Sequence, residues 1–225
     1  MSAAPFEILF EDDDLLAINK PAWWVVHRGL ASDALVIVDQ LKAYLHRETV
    51  HPLHRLDRQT SGVLLFAQKS DIARTMQEQF NTGQIRKTYL ALVRGVCPEK
   101  GFIDSPVPKN EGGNRVPAQT EFARLGAFNT EPRTVSLVHA YPRTGRFHQI
   151  RRHLKHISHP IIGDSNYGKG ALNRAFRERY GLDRLGLHAR TITFEHPVTV
   201  QTITINAPIP TDLLEPFEKM GIVIN

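Results

Sequence analysis

An aspartate between two arginines, just ahead of an apolar run, is the feature of this sequence best suited to chemistry. Residues 54–62 read HRLDRQTSG, and the apolar run at 62–68 predicts a buried strand. A carboxylate at the mouth of such a strand is poorly solvated, so Asp57 needs cationic or hydroxyl partners to stay ionised. A carboxylate held in this way can act as a nucleophile or a base. An isolated R-x-D sequence is more often a salt-bridged turn, so its context has to decide.

One further segment precedes HRLDRQTSG in the sequence, and four follow it. They are NKP at 19–21, KTY at 87–89, TGRFHQIRRH at 144–153, GDSNYG at 163–168 and LHA at 187–189. Together with HRLDRQTSG and its apolar strand, this ordered set resembles the RluA-type pseudouridine synthases. The resemblance covers about residues 6–208, nearly the whole chain.

The resemblance implies an enzyme, an isomerase that converts a uridine of RNA to pseudouridine. Asp57 matches the catalytic aspartate of the family, and Tyr89 matches the tyrosine whose aromatic face packs against the target base. Arg146 matches an arginine that pairs with the aspartate and keeps it charged. Leu187 matches an apolar residue of the base pocket. Arg55 matches an arginine that enters the RNA stack as the uridine leaves, since a stacked base cannot be attacked.

The implied reaction breaks the bond from C1′ to N1, rotates the uracil while it is held, and joins C5 to C1′. Three roles stay open for Asp57: attack on the ribose C1′, addition to C6 of uracil, or abstraction of a ribose proton towards a glycal. Because the change is an isomerisation, we expect no metal, nucleotide or redox cofactor. The sequence contains neither a Walker-type loop nor a dinucleotide fingerprint.

Histidines around one predicted helix raise the alternative of a metal site. They are His148, His153, His156 and His159. His159 precedes Pro160 and is expected beyond the helix end, and the sequence has a single cysteine and no HExxH pattern. We therefore expect no metal, and a basic face that meets RNA phosphates. The cations assigned to RNA contact are Arg58, Arg151, Arg152 and Lys155.

Composition and charge fit an RNA partner in a reducing compartment. Lysines and arginines number 28 against 23 acidic residues, which gives a net charge of +5. A basic excess favours a polyanion, because phosphate contacts release counterions. Cys97 is the only cysteine, and neither a signal peptide nor an apolar stretch of about 20 residues is present. We expect a cytoplasmic protein with no membrane association and no obligate protein partner.

Strand and helix patterns alternate without a regular βαβ order, which predicts an α+β fold: a mixed, largely antiparallel sheet flanked by helices and loops, with a central cleft. Predicted strands lie at 62–68, 87–95 and 134–141, with hairpins at 6–18, turning at Asp12–Asp14, and 191–207, turning near Pro197. Predicted helices run from 32 to 47 with Ser32 or Asp33 as N-cap, from Ser70 to Gly83, from the turn at 142–146 to His156, and over 173–180. Residues 97–119 predict a loop-rich surface insertion.

A chain of 225 residues is long enough for one large domain or for two small lobes that share a cleft. We expect a single catalytic domain over 1–225. Since the first motif begins near Phe6, we expect no S4-like domain at the N-terminus. Specificity would then come from the catalytic domain and its loops.

Three segments resemble the TruC-like branch of the family, which modifies uridine 65 of tRNA. They are VHR at 26–28, HQIRRHL at 148–154 and SHPIIGDS at 158–165. Phe147, where the family commonly has threonine, and a short 97–119 insertion depart from the branch. We favour tRNA over ribosomal RNA as the substrate. The alternatives are a catalytically silent RNA-binding protein on this fold and an aspartate-dependent hydrolase, for which Asp164 would be the second carboxylate.

Overall fold

The computed structural model describes residues 5–28 and 35–224. In chain order its elements are β1 Glu7–Glu11, β2 Leu15–Lys20, α1 Ile37–Leu45, β3 His51–Pro52, β4 Ser61–Ala67, α2 Ser70–Asn81, β5 Arg86–Arg94, β6 Lys100–Asp104, β7 Val107–Pro108, β8 Arg115–Val116, β9 Gln119–Phe128, β10 Val135–Pro142, α3 Gln149–His156, α4 Gly170–Tyr180, β11 Leu187–Glu195, β12 Thr202–Asn206 and α5 Thr211–Lys219. Strands and helices are intermixed and the sheet is mostly antiparallel, which confirms the predicted α+β class.

The chain divides into two compact units. Unit 1 runs to Lys87 and includes Ala189–Pro208, and unit 2 comprises Thr88–His188 and the chain from Ile209 onward. The boundaries therefore fall inside strands β5 and β11. The expectation of one catalytic domain stays a prediction. No helix among the described residues combines the length and the apolar character that crossing a membrane requires.

Unit 1 is built on antiparallel pairs of β1 with β2, β2 with β4, β3 with β4, and β11 with β12. The predicted first hairpin is confirmed. Its turn is closed by Asp12, whose Oδ1 accepts the N–H groups of Asp14 and Leu15 at 2.9 and 2.7 Å. Helix α2 buries Ile72 and Met76 against the sheet, with Phe80 partly buried on the same face, as its spacing predicts.

Helix starts in unit 1 differ from the predicted caps. Helix α2 begins at Ser70 itself, so its N-cap is Lys69 and Ser70 is wrong as a cap; the N-cap makes no side-chain hydrogen bond. Helix α1 begins at Ile37. The predicted caps Ser32 and Asp33 lie outside the described residues. Burial of Ile37 and Leu41 holds α1 in place of a cap.

Unit 2 places its strands in the order β5, β10, β9 and β6, with β7 and β8 as a separate hairpin. Helices α4 and α5 bury Phe176 and Phe217 with Leu92 and Leu137 in one core cluster. A second cluster joins strand residues such as Val93 and Val138 to helix α3. The predicted strand at 134–141, the helix ending at His156 and the helix at 173–180 are thereby confirmed, the last with an earlier start.

Five elements of unit 2 escaped prediction, namely β6, β7, β8, β9 and α5. Residues 97–119 are not a plain loop insertion, because β6 pairs with β9 along its length. Strand β9 was missed because its buried residues alternate with charged and glycine positions, which dilutes the apolar signal. Helix α5 was missed because Pro216 lies inside it, where proline normally stops a helix. Burial of Leu213 and Phe217 on one face outweighs that penalty.

Candidate active site

Asp57 lies in the loop of unit 1 between β3 and β4 and is half-buried. Its carbonyl accepts the N–H of Thr60 at 3.0 Å, which closes a turn just before β4. Leu56 faces the interior, whereas Arg55 and Arg58 are exposed. The loop therefore presents a half-buried carboxylate between two exposed arginines in the sequence.

His54 anchors the start of this loop. Its Nε2 accepts the N–H of Leu65 at 3.1 Å, so the ring is neutral with its proton on Nδ1. Burial, and secondly the nearby ammonium of Lys87, lower the pKa of His54 to about 3. The ring lies 5.5 Å from that of Phe80, over which Lys87 also sits. Burial lowers the pKa of Lys87 to about 8.

Lys20 anchors the other end of the loop from the NKP segment. The side chain is fully buried, and its ammonium donates to the carbonyls of Pro21, Trp24 and Arg58 at 2.8, 2.9 and 3.3 Å. A buried ammonium is stable only when its three donors are satisfied, and these carbonyls are its partners. The N–H of Trp23 also donates to the Arg58 carbonyl at 2.7 Å. The NKP turn is thus fastened to the residue that follows Asp57.

Gly62 explains the last position of the HRLDRQTSG motif. Its φ is +113°, and a Cβ there would lie 2.2 Å from the carbonyl oxygen of Ala189. Only glycine permits this approach of β4 to β11. The LHA segment matters to unit 1 for the same reason, since its alanine is the residue approached.

Tyr89 and Leu187 meet one apolar cluster of unit 2. Tyr89 is half-buried on β5, opposite Ala140 of β10, and packs against a cluster that contains Leu187 and Ile150. Leu187 is buried at the start of β11. The structure therefore brings together the aromatic and the apolar residue assigned to the base pocket.

Arg146 is exposed in the turn before α3, and its backbone is held by Gln149. Gln149 is buried, and its Oε1 accepts both the Thr144 hydroxyl at 2.6 Å and the Arg146 N–H at 3.1 Å. Its Nε2 donates to the Gln119 carbonyl and to Thr120 Oγ1 at 2.9 and 3.0 Å. Gln149 was not predicted as a site residue, although its place in the TGRFHQIR motif was the available signal.

His153 continues this network inward. Its Nε2 lies 2.9 Å from the Ser105 carbonyl, which can only accept, so Nε2 carries the proton and Nδ1 accepts the Thr120 hydroxyl at 2.9 Å. Burial is the main influence on its pKa, which is lowered. Both ring nitrogens are thus occupied. The predicted basic face is wrong for His153, because the ring is buried and neutral.

Arg151 and Arg152 are neighbours with different surroundings. Arg151 is buried and pairs with Asp164 through Nε at 2.8 Å and Nη2 at 2.9 Å, so its assignment to RNA contact is wrong. Burial raises the pKa of Asp164, but the hydrogen bonds and charge of Arg151 and the N–H groups of Tyr167 and Asn166 outweigh it, so that the pKa is lowered. Arg152 is half-buried and lies over the rings of Tyr167 and Phe147, at 4.9 and 5.7 Å.

The remaining predicted RNA contacts face solvent. Lys155 is exposed, with Nζ 5.9 Å from the centre of the Tyr167 ring, and Arg58 is exposed beside Asp57. Among the described residues, the grouping of possible metal ligands is Asp12, Asp14 and His196 rather than the histidines around α3. Hydrogen bonds within the first hairpin, a hydrogen bond from His196 Nε2 to Asp12, and the ion pair of Asp14 with Lys69 account for those carboxylates.

The chain matches the family model described as RNA pseudouridylate synthase over residues 14–156. It is 42% identical to tRNA pseudouridine synthase C of Haemophilus ducreyi, over 96% of each chain. It is 41% identical to the protein of the same name from Yersinia pestis, over 89% of this chain and 85% of that one.

Two solved human structures have a similar fold. Human RNA Pseudouridylate Synthase Domain Containing 4 is 27% identical, with a TM-score of 0.77 over 97% of this chain and 94% of that chain. Human RNA Pseudouridylate Synthase Domain Containing 1 is 26% identical, with a TM-score of 0.76 over 93% of this chain and 86% of that chain. The match extends across both units, since it covers more than nine-tenths of the residues.

Proposed function

The chain belongs to the RNA pseudouridylate synthase family and is an RNA pseudouridine synthase, and from this premise we propose that its substrate is tRNA. The observation that carries the proposal is the likeness to proteins named tRNA pseudouridine synthase C, at about 40% identity over nearly the full length. The TruC-like segments at 26–28, 148–154 and 158–165 support uridine 65 as the target. Action on tRNA also makes the cytoplasm the expected location.

Asp57 is assigned as the catalytic carboxylate. Its support is the loop that carries it: Lys20 and His54 hold the loop by hydrogen bonds, and Gly62 lets the following strand β4 approach β11 closely. A catalytic group held by such contacts keeps its geometry without reorganisation during the reaction. Arg55 is exposed in the same loop, where a guanidinium can take the place of a base that leaves the RNA stack.

Tyr89, Leu187 and Arg146 are assigned to uracil binding. The first two share an apolar cluster, which suits an aromatic face and an aliphatic wall for one base. Arg146 supplies an exposed positive charge on a backbone that Gln149 holds. For contacts to RNA phosphates we retain Arg58, Arg152 and Lys155, since each is at least partly exposed.

Mapping of pseudouridine in cellular RNA, with and without this protein, tests the substrate directly. We expect one tRNA position to lose pseudouridine in the deletion and to regain it with the wild-type gene. The Asp57→Asn gene is the matched control and should not restore it. If pseudouridine is lost at a ribosomal RNA position instead, the substrate is ribosomal RNA and not tRNA. An unchanged pseudouridine map would point to a catalytically silent RNA-binding protein.

A further inference from the structure

Trp23 combines an unusual backbone with an exposed ring. Its φ is +72°, a left-handed conformation that favours glycine and is rare for bulky side chains. Its relative exposure is 42%, high for a tryptophan. Strained backbone of this kind persists only where the surroundings enforce it, and it concentrates at functional sites. The left-handed backbone and the exposed ring together indicate a functional role for Trp23.

The surroundings that enforce the strain belong to the Asp57 loop. The N–H of Trp23 donates to the Arg58 carbonyl at 2.7 Å, and Nε of Arg58 donates back to the Trp23 carbonyl at 3.3 Å. The buried ammonium of Lys20 holds the carbonyls on both sides, those of Pro21 and Trp24. The backbone that bears the exposed indole is thus hydrogen-bonded to Arg58, the residue that follows Asp57.

Trp24 shows that packing accounts for one tryptophan of the pair and not for the other. Trp24 is half-buried, and its ring meets that of Phe6 edge-on, with centroids 6.3 Å apart. Across residues 5–28 and 35–224, no aromatic ring packs on the Trp23 indole and no cation lies over it; the Arg58 guanidinium contacts only the Trp23 backbone carbonyl. Exposed arginines lie near it in the sequence or in the Asp57 loop, namely Arg28, Arg55 and Arg58. Arg28 is ion-paired with Asp39, and the others add to a positive surface.

We propose that Trp23 is a substrate-binding residue that stacks on an unpaired base of the RNA beside the target uridine. An aromatic face among cations is the usual platform for single-stranded nucleic acid, because the base stacks while the phosphates meet the charges. A uridine that leaves its helix exposes the face of a neighbouring base to such a platform. The inference rests on the proposed function, since it presumes a structured RNA substrate.

Substitution by glycine separates stacking from a structural role. Trp23→Gly removes the indole and also relieves the left-handed strain, so we expect a higher melting temperature than that of the wild type. The same variant should bind a transcribed, unmodified tRNA about 5- to 150-fold more weakly, the range for loss of one stacked base. Trp23→Phe keeps an aromatic face and should retain most of the affinity. If Trp23 had only a structural role, Trp23→Gly would lower the melting temperature and the tRNA affinity together.

Fluorescence gives a direct readout, because Trp23 and Trp24 are the only tryptophans. In an Asp57→Asn background that blocks turnover, the Trp24→Phe protein reports Trp23 alone, and the Trp23→Phe protein reports Trp24. We expect tRNA to quench the emission of Trp23 and to leave that of Trp24 nearly unchanged.

Equal affinities of wild type and Trp23→Gly, or unquenched Trp23 in a protein that binds tRNA, would overturn the inference and leave the proposed function standing. A wild-type protein that neither binds nor modifies cellular RNA would overturn both.

Discussion

The Asp57 loop of unit 1 and the turn before α3 in unit 2 each present an exposed arginine, but they are held by different chemistry. The loop is fastened by ionisable side chains that hold backbone groups: the ammonium of Lys20 and the neutral imidazole of His54. The turn is fastened by the amide of Gln149, behind which Arg151 and Asp164 form a buried ion pair. The loop therefore depends on the protonation state of a histidine, whereas the turn depends on a non-titrating amide.

Loss of the carboxylate is the largest expected effect and belongs to the loop alone. Asp57→Asn should lower the turnover number at least about 1,000-fold, as removal of a catalytic group does, while the melting temperature stays near that of the wild type. Single-turnover conversion of the mapped RNA measures the loss. Asp13→Asn, in the exposed turn of the first hairpin, is the control and should be fully active. Conversion by Asp57→Asn near the wild-type rate would remove Asp57 from the mechanism.

The next effect should fall on stability and distinguish the two arginines of α3. Arg151→Met leaves Asp164 buried without its partner, and breaking a buried pair costs about 3–5 kcal/mol of the free energy of unfolding. Arg152→Met leaves no carboxylate behind and should cost less than about 1 kcal/mol.

Urea unfolding measures these two costs, and tRNA affinity should respond in the opposite order. Arg152→Met should weaken binding, because its guanidinium is held over Tyr167 and Phe147, with no hydrogen-bond acceptor for its Nε among the described residues. Equal stability losses for the two variants would contradict the difference in their surroundings.

Gln149→Leu should produce a smaller loss in the turn. It leaves the hydroxyls of Thr144 and Thr120 and the N–H of Arg146 with a partner missing, at a cost of about 1–3 kcal/mol. A displaced Arg146 should also reduce turnover, by up to about 100-fold. Gln79→Leu in α2, a buried glutamine with a single hydrogen bond recorded for its side chain, is the matched control. It should lose stability without the same loss of turnover per folded molecule.

The sequence predicted the strands better than it predicted the partners of individual side chains. Asp57 precedes β4 and Tyr89 lies within β5, and both strands have continuous apolar runs, so the elements that carry these residues could be predicted. Whether a side chain of a helix faces solvent or the interior was harder to predict. Arg151 and His153 are charged or polar in type, and only the fold reveals Asp164, Thr120 and the Ser105 carbonyl as their partners.

Long-range contacts between short polar segments were also beyond prediction. Lys20 and Arg58 are 38 residues apart, and no periodicity relates a buried lysine to a distant carbonyl. The exposed, left-handed Trp23 likewise follows from that contact and not from its own residue type.

The smallest expected effect tests the protonation that holds the loop. Unfolded, His54 has a pKa near 6.5, and in the folded protein burial and then the charge of Lys87 lower it to about 3. Between these values the unfolded chain binds a proton that the folded protein does not, so the free energy of unfolding falls as the pH drops from about 6.5 towards 3.

His54→Gln keeps an acceptor for the Leu65 N–H and does not titrate, so it should lack this part of the acid loss. The stability difference between wild type and variant should shift by at most about 2 kcal/mol between pH 7 and pH 5, in favour of the variant at the lower pH. Urea unfolding at pH 7 and at pH 5 measures the shift. Parallel pH profiles for wild type and His54→Gln would mean that the loop is not held by a neutral imidazole. The Asp57 loop would then not differ from the turn held by Gln149 in its dependence on pH.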